Sequence, residues 1–167
     1  MRRHIRTFTA RHEPGGQLIL HLKSGSGAVA GMSLVGALAS FTGLPMLIAP
    51  LGATAVLLFG QPASPLAQPI NIFAGYLVAS LIGVGAAILF PGLWVAAAVA
   101  VGLSIALMLI LRVTHPPAGA IPLVATASPY QGSTLFVVVL LGCVSLLALA
   151  LVHHRIPPRV QYPRSLD

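Results

Sequence analysis

Residues 70–111 read INIFAGYLVASLIGVGAAILFPGLWVAAAVAVGLSIALMLIL, without a single charge and with one break, at Pro91-Gly92. A hydrocarbon core of ~30 Å is crossed by about 20 apolar residues of helix. The stretch therefore predicts two spanning helices, Ile70–Phe90 and Leu93–Leu111. Working outward, no Lys, Arg, Asp or Glu occurs from Ser24 to Leu111, and Arg112 is the only formal charge before Arg155. Two more blocks of spanning length lie in this apolar sequence, Gly25–Leu44 and Ser133–Val152. Two shorter ones, Met46–Gly60 and Pro116–Ala127, each carry a proline–glycine cluster at or near the start. The expected fold is an all-α integral membrane protein with four long transmembrane helices plus two short re-entrant or broken helices.

The whole chain agrees with this reading. It is 57% hydrophobic and 7% charged, where soluble domains carry about 25% charged residues. The net charge of +7 lies almost wholly in the tails, at Arg2, Arg3, Arg6, Arg11 and Lys23 before the first span and Arg155, Arg159 and Arg164 after the last. Positive charge flanking spans marks the cytoplasmic side, so both tails, 1–23 and 154–167, are expected there and the number of crossings is even. The same flanking position argues against nucleic acid as a partner and for anionic lipid headgroups. Ala37-Leu38-Ala39 mimics a signal cleavage site, but apolar sequence resumes after Ser40 and no cleavage is expected.

Absences narrow the function. Glu13 and Asp167 are the only acidic residues, and both sit in the tails. Cation transporters and proton pumps keep carboxylates at membrane depth, and paired-carboxylate or serine–histidine–aspartate catalysis needs them too. The single Cys143 permits no intrachain disulfide and no cysteine metal cluster. An enzyme, a metal or another cofactor is not expected; an uncharged or anionic solute is.

The chain also looks duplicated. Pro50-Leu51-Gly52-Ala53 returns as Pro117-Ala118-Gly119-Ala120. The same shift lays the first long span over the third and the second over the fourth, giving halves 25–90 and 93–153. Matching short or broken helices in repeated halves point to a transport site near the bilayer midplane. Re-entrant short segments give four crossings and parallel halves. Crossing segments give six and inverted halves. Their length, about 12 to 15 residues, favours the re-entrant form, whereas Arg112 would reach the cytoplasmic side in the six-crossing form.

A helix that begins inside the membrane exposes unpaired N–H groups and partial positive charge, which suit an anion. The candidate binding residues are therefore Pro50, Gly52, Ala53 and Thr54 at one start and Pro116, Pro117, Gly119 and Ala120 at the other. Arg112 supplies a positive field, or else snorkels to headgroups. Thr114 caps the second short helix or donates to a solute. His115, the one histidine away from the tails, is of a type that titrates near physiological pH and could couple anion movement to a proton. Asn71 is expected to cap its span, and Trp94 and Tyr130 to sit at the membrane interface. The glycine-rich spans and the few walls around any path fit a homo-oligomer.

These residues resemble the HPP family, membrane proteins named for a His-Pro-Pro motif that stands here as His115-Pro116-Pro117 within Thr114-His115-Pro116-Pro117-Ala118-Gly119-Ala120. The resemblance extends to Pro50-Leu51-Gly52-Ala53-Thr54-Ala55-Val56-Leu57-Leu58-Phe59 and to Ser64-Pro65-Leu66-Ala67-Gln68-Pro69 leading into Asn71. That family is described as having four transmembrane helices, and some plastid and cyanobacterial members are associated with nitrite transport. The resemblance implies a transporter or channel for nitrite or a similar small anion, in a bacterial cytoplasmic membrane. The competing reading is a non-transporting scaffold or sensor that binds a partner or lipid through its basic tails.

Overall fold

The computed structural model describes residues 7, 9–11, 15–127 and 132–165, and every regular element among them is helical. Helix α1 runs Leu18–Thr42 and ends on Gly43 at φ 70°, whose N–H reaches Ala39 O at 2.9 Å. It begins seven residues before the expected Gly25, taking in Lys23. Lys23 sits within that first part of the helix because its ammonium reaches out to the Ile156 and Pro158 carbonyls of the C-terminal tail.

After Gly43 the chain stays non-helical to Ile48, and Ala49 opens the short helix α2, Ala49–Ala55, which passes into a π-helical turn at Val56–Gly60. The helical part starts three residues later than Met46, with Pro50 in its first turn, where a missing N–H costs nothing. A 3-10 turn, Pro65–Ala67, is capped by Ser64 Oγ accepting from the Leu66 N–H at 3.3 Å. It leads to α3, Pro69–Leu89, and then to α4, Trp94–Ile110. The second short segment is a 3-10 turn, Pro116–Ala120, continuing as α5, Ile121–Ala127. Helix α6, Ser133–His153, completes the bundle.

Helices α1, α3 and α6 are long and apolar enough to cross a membrane. Helix α4 has 17 residues, about 25 Å of rise at 1.5 Å per residue, which lies at the short end of spanning lengths. The outer faces are apolar: Phe41 is 90% and Trp94, the first residue of α4, 77% exposed. Tyr130 lies outside the described residues.

In lipid, apolar area alone does not pull helices together, so packing must come from close fit. Glycines supply it. A Cβ on Gly75 of α3 would lie 2.8 Å from His115 Cβ, and one on Gly83 would lie 2.8 Å from the Pro122 Cα. These two notches seat the second short segment against α3. On the other side Phe59 packs over Gly27 and Gly31 of α1, and Leu51 seats on Gly142 of α6.

One end of the bundle gathers the chain's polar ends. Besides the Lys23 bonds, His154 Nε2 lies 2.8 Å from Leu58 O, Tyr162 donates to Ala67 O at 2.9 Å, and the Arg164 N–H meets Gln68 Oε1 at 2.8 Å. This tail end thus joins the start of α1, the π turn, the 61–68 loop and the chain beyond α6.

Candidate functional site

Where the two short segments meet, three polar side chains close on one another inside the bundle. Thr54 comes from α2, Tyr76 from α3, and His115 from the residue just before the second 3-10 turn. Each is 0% exposed. Thr54 Oγ1 lies 2.6 Å from the Tyr76 hydroxyl, 2.8 Å from His115 Nε2 and 3.1 Å from Pro50 O. Tyr76 also donates to Pro50 O at 2.8 Å, and His115 Nδ1 is 2.9 Å from Leu66 O.

Partner chemistry fixes the hydrogens. A carbonyl only accepts, so Nδ1 carries a hydrogen for Leu66 O. In the neutral ring Nε2 then accepts from Thr54, whose oxygen is left to accept from Tyr76. In the charged ring Nε2 donates to Thr54, Thr54 donates to Tyr76, and Tyr76 donates to Pro50 O. The network therefore accommodates either protonation state by rotating two hydroxyl hydrogens, with every heavy atom in place. Its surroundings are apolar, and no Asp or Glu occurs among the described residues.

Pro50, Thr54 and His115 are the predicted residues that meet here. Thr114 contributes its carbonyl, which accepts from Asn71 Nδ2 at 3.1 Å. That bond replaces the capping roles expected of both: the N-caps are His115 and Gln68, and neither makes a side-chain cap bond. Gly52 has open space where a Cβ would stand, and Gly119 has only Ile105 at 3.8 Å. Ala53, Ala120, Pro116 and Pro117 line, with Pro50, an open apolar groove of about 540 Å³ between the short segments. Arg112 is exposed at φ 58°, in the turn that ends α4, and its side chain takes no part in the cluster's hydrogen bonds.

The helix starts are poorer in donors than their positions suggest. Pro116 and Pro117 have no N–H, and Ala118 spends its own on His115 O at 3.0 Å. In the first segment Pro50 has none, while Leu51 and Gly52 both reach Ile48 O, at 3.0 and 3.4 Å. Side chains, not free main-chain donors, are the polar inventory of this junction.

Tyr76 is the member that sequence reasoning missed. Its signal was a lone phenol beside Gly75 in a charge-free span, and intramembrane polar groups are rarely idle.

A family model described as HPP, transmembrane region, matches residues 13–163. Two transmembrane proteins of Dictyostelium discoideum are each 35% identical to the chain, over 128 and 125 residues, covering 72% and 70% of it. The chain spans 45% and 40% of these relatives, less than half of their length. No solved structure matches the chain.

Proposed function

The chain belongs to the HPP transmembrane family, and on that premise we propose that it is a membrane transporter for a small anion, with nitrite the first substrate to test. The observation that carries the reading is the buried Thr54–Tyr76–His115 cluster at the meeting of two short helices, in a bundle whose described residues hold no carboxylate. A cation would find no counter-charge there. An anion would find two hydroxyls and an imidazole that can present hydrogens, with the Arg112 cation three residues before His115 in the chain.

The path of the chain supports a paired architecture. The helical parts of the two short segments, Ala49–Gly60 and Pro116–Ala127, share one shift of 67 residues at both ends (49 to 116, 60 to 127). Gly43 ends α1 far from Lys23, whereas Phe59 packs on Gly27 and Leu58 meets His154. The first short segment thus returns to the tail end. By the same contacts the second leaves His115 beside Gly75 and reaches Pro122 beside Gly83, travelling along α3 away from the tails. This path supports a reading with six passages, each short one a few non-helical residues leading into a helix, with inverted halves and, by the positive charge of the tails, both tails on the cytoplasmic side. Broken helices that meet at depth are the usual setting of a transport site.

In this conformation the cluster is closed, so transport requires the short segments to part. The test is nitrite uptake into proteoliposomes, with and without a pH gradient and with protein-free liposomes to subtract leakage of nitrous acid. Protein-dependent uptake is expected, falling at least ten-fold in Thr54→Val and His115→Gln. Folded protein that moves no nitrite above the protein-free rate would overturn the nitrite reading.

A further inference from the structure

A second polar constellation lies at the tail end. Lys23 and Ser24 of α1 and His153 and His154 at the end of α6 wall a partly open cavity of about 160 Å³, lined also by Phe59 and Val160. That is room for a small polyatomic ion and its remaining water, since a water molecule takes about 30 Å³ of liquid.

His154 is 3% exposed, and its Nε2 must carry the hydrogen shared with Leu58 O, which can only accept. Its other nitrogen, Nδ1, is buried without a partner. His153 Nε2 is buried and unpartnered as well, lying where a Cβ on Gly27 would meet it at 2.8 Å. Lys23 gives two N–H groups to Ile156 O and Pro158 O, and an ammonium has a third. Buried polar atoms are satisfied by protein, water or ligand in the great majority of cases, so the two unpartnered imidazole nitrogens call for an occupant, and the partly exposed Lys23 ammonium beside them has a hydrogen to give.

Charge decides what kind. A metal ion would face the Lys23 ammonium, and no group of three His, Cys, Asp or Glu occurs among the described residues. Every charged or titratable group described around His154 is a cation, an imidazole or a phenol: Lys23, His153, Arg155, Arg159 and Tyr162. Burial holds the His154 imidazole below its ordinary value, against the pull of the Leu58 carbonyl and with the help of Lys23. A negative charge in the cavity reverses that balance.

We propose that this cavity is a binding site for one small oxyanion, taken up together with a proton from solvent that sits on His154 Nδ1. The bound pair adds no net charge. The anion accepts from Lys23 and from Nδ1, while Ser24 keeps its hydrogen on Leu20 O. The site is separate from the Thr54–His115 cluster and stands whichever way the flux measurement falls.

The test is 15N-imidazole NMR of the full chain in nanodiscs, with His154→Gln identifying the signal and sodium nitrite or inorganic phosphate as probes. A saturable change of His154 from the neutral to the imidazolium pattern is expected, with affinity at least ten-fold tighter at pH 6 than at pH 8. Lys23→Arg, which preserves the tail contacts' charge, should keep it, and Lys23→Met should lose it. His154→Gln, with ion binding read by equilibrium dialysis, should bind without pH dependence while the remaining imidazole signals keep the wild-type pattern. Discs of phosphatidylcholine alone are compared with discs containing phosphatidic acid. A shift with phosphatidic acid and no added ion identifies a lipid phosphate as the source of the oxyanion, and a shift with added ion in both discs identifies a soluble one. No saturable response to any of these probes, or one that chloride reproduces at equal ionic strength, overturns the proposal.

Discussion

Arg112 holds a backbone conformation that glycine usually occupies. Its φ of 58° follows the end of α4, where the Arg112 N–H reaches Leu109 O at 3.1 Å and the Val113 N–H reaches Met108 O at 2.9 Å. This bond pair is a Schellman stop, and its left-handed position costs a residue with a Cβ about 1–2 kcal/mol. Retaining a side chain there is strain of the kind that clusters at working sites. Arg112→Gly removes both strain and charge, so its thermal midpoint is expected at or above wild type while nitrite uptake falls at least ten-fold. Arg112→Ala should lose uptake without the gain in midpoint. Wild-type uptake by the glycine variant would remove Arg112 from the mechanism. At this scale the sequence exposed Pro50, Thr54 and His115 because they stand in motifs. It hid Tyr76, because one hydroxyl in an apolar run has no spacing to betray it, and it hid Leu66 O, because a main-chain acceptor has no residue-type signature.

Among the elements, the glycines sort into two kinds that composition cannot separate. Gly75 and Gly83 are notches: an added methyl would press on His115 Cβ and on Pro122 main chain at 2.8 Å. Gly52 has nothing within 4 Å of the same added atom. Overpacking a tight contact costs about 1–3 kcal/mol, so Gly75→Ala and Gly83→Ala should each lower the thermal midpoint in detergent. Gly52→Ala should leave it unchanged or raise it slightly, since alanine is the better helix former. Equal midpoints for all three would contradict the notch assignment. The long elements were legible from charge-free length alone, with ends displaced where a side chain could reach out, as Lys23 does. The short ones were legible as segments but not in type, because the π turn at Val56–Gly60 and the 3-10 turn at Pro116–Ala120 answer to neighbours rather than to local propensity.

For the whole molecule, direction is the open quantity. Apolar lengths and tail charges allow either four crossings or six, because both are even, and only contacts between distant residues distinguish them. The contacts of Phe59, Leu58 and Gln68 tie the 61–68 loop to the tails. On a Cys143→Ser background, single cysteines at Ser64 and Ser165 should therefore react with an impermeant maleimide from the same face of sealed vesicles, and one at Gly92 from the other. Re-entrant short segments would put Ser64 on the face opposite Ser165, and that labelling pattern would restore the four-crossing arrangement.

The seat of Leu51 on Gly142 carries a consequence for biosynthesis. A growing chain releases its segments in order, and one as short as Ala49–Gly60 has too little apolar length to settle in lipid unaided. Its π turn can dock at once on α1, through Phe59, Gly27 and Gly31. Leu51, however, waits for its socket on Gly142 of α6, a helix made after α1 to α5. Until α6 emerges, Thr54 can already meet Tyr76 and His115, but the Leu51 face of the first short segment stays uncovered. The seating of Leu51 is thus deferred until α6 has been made.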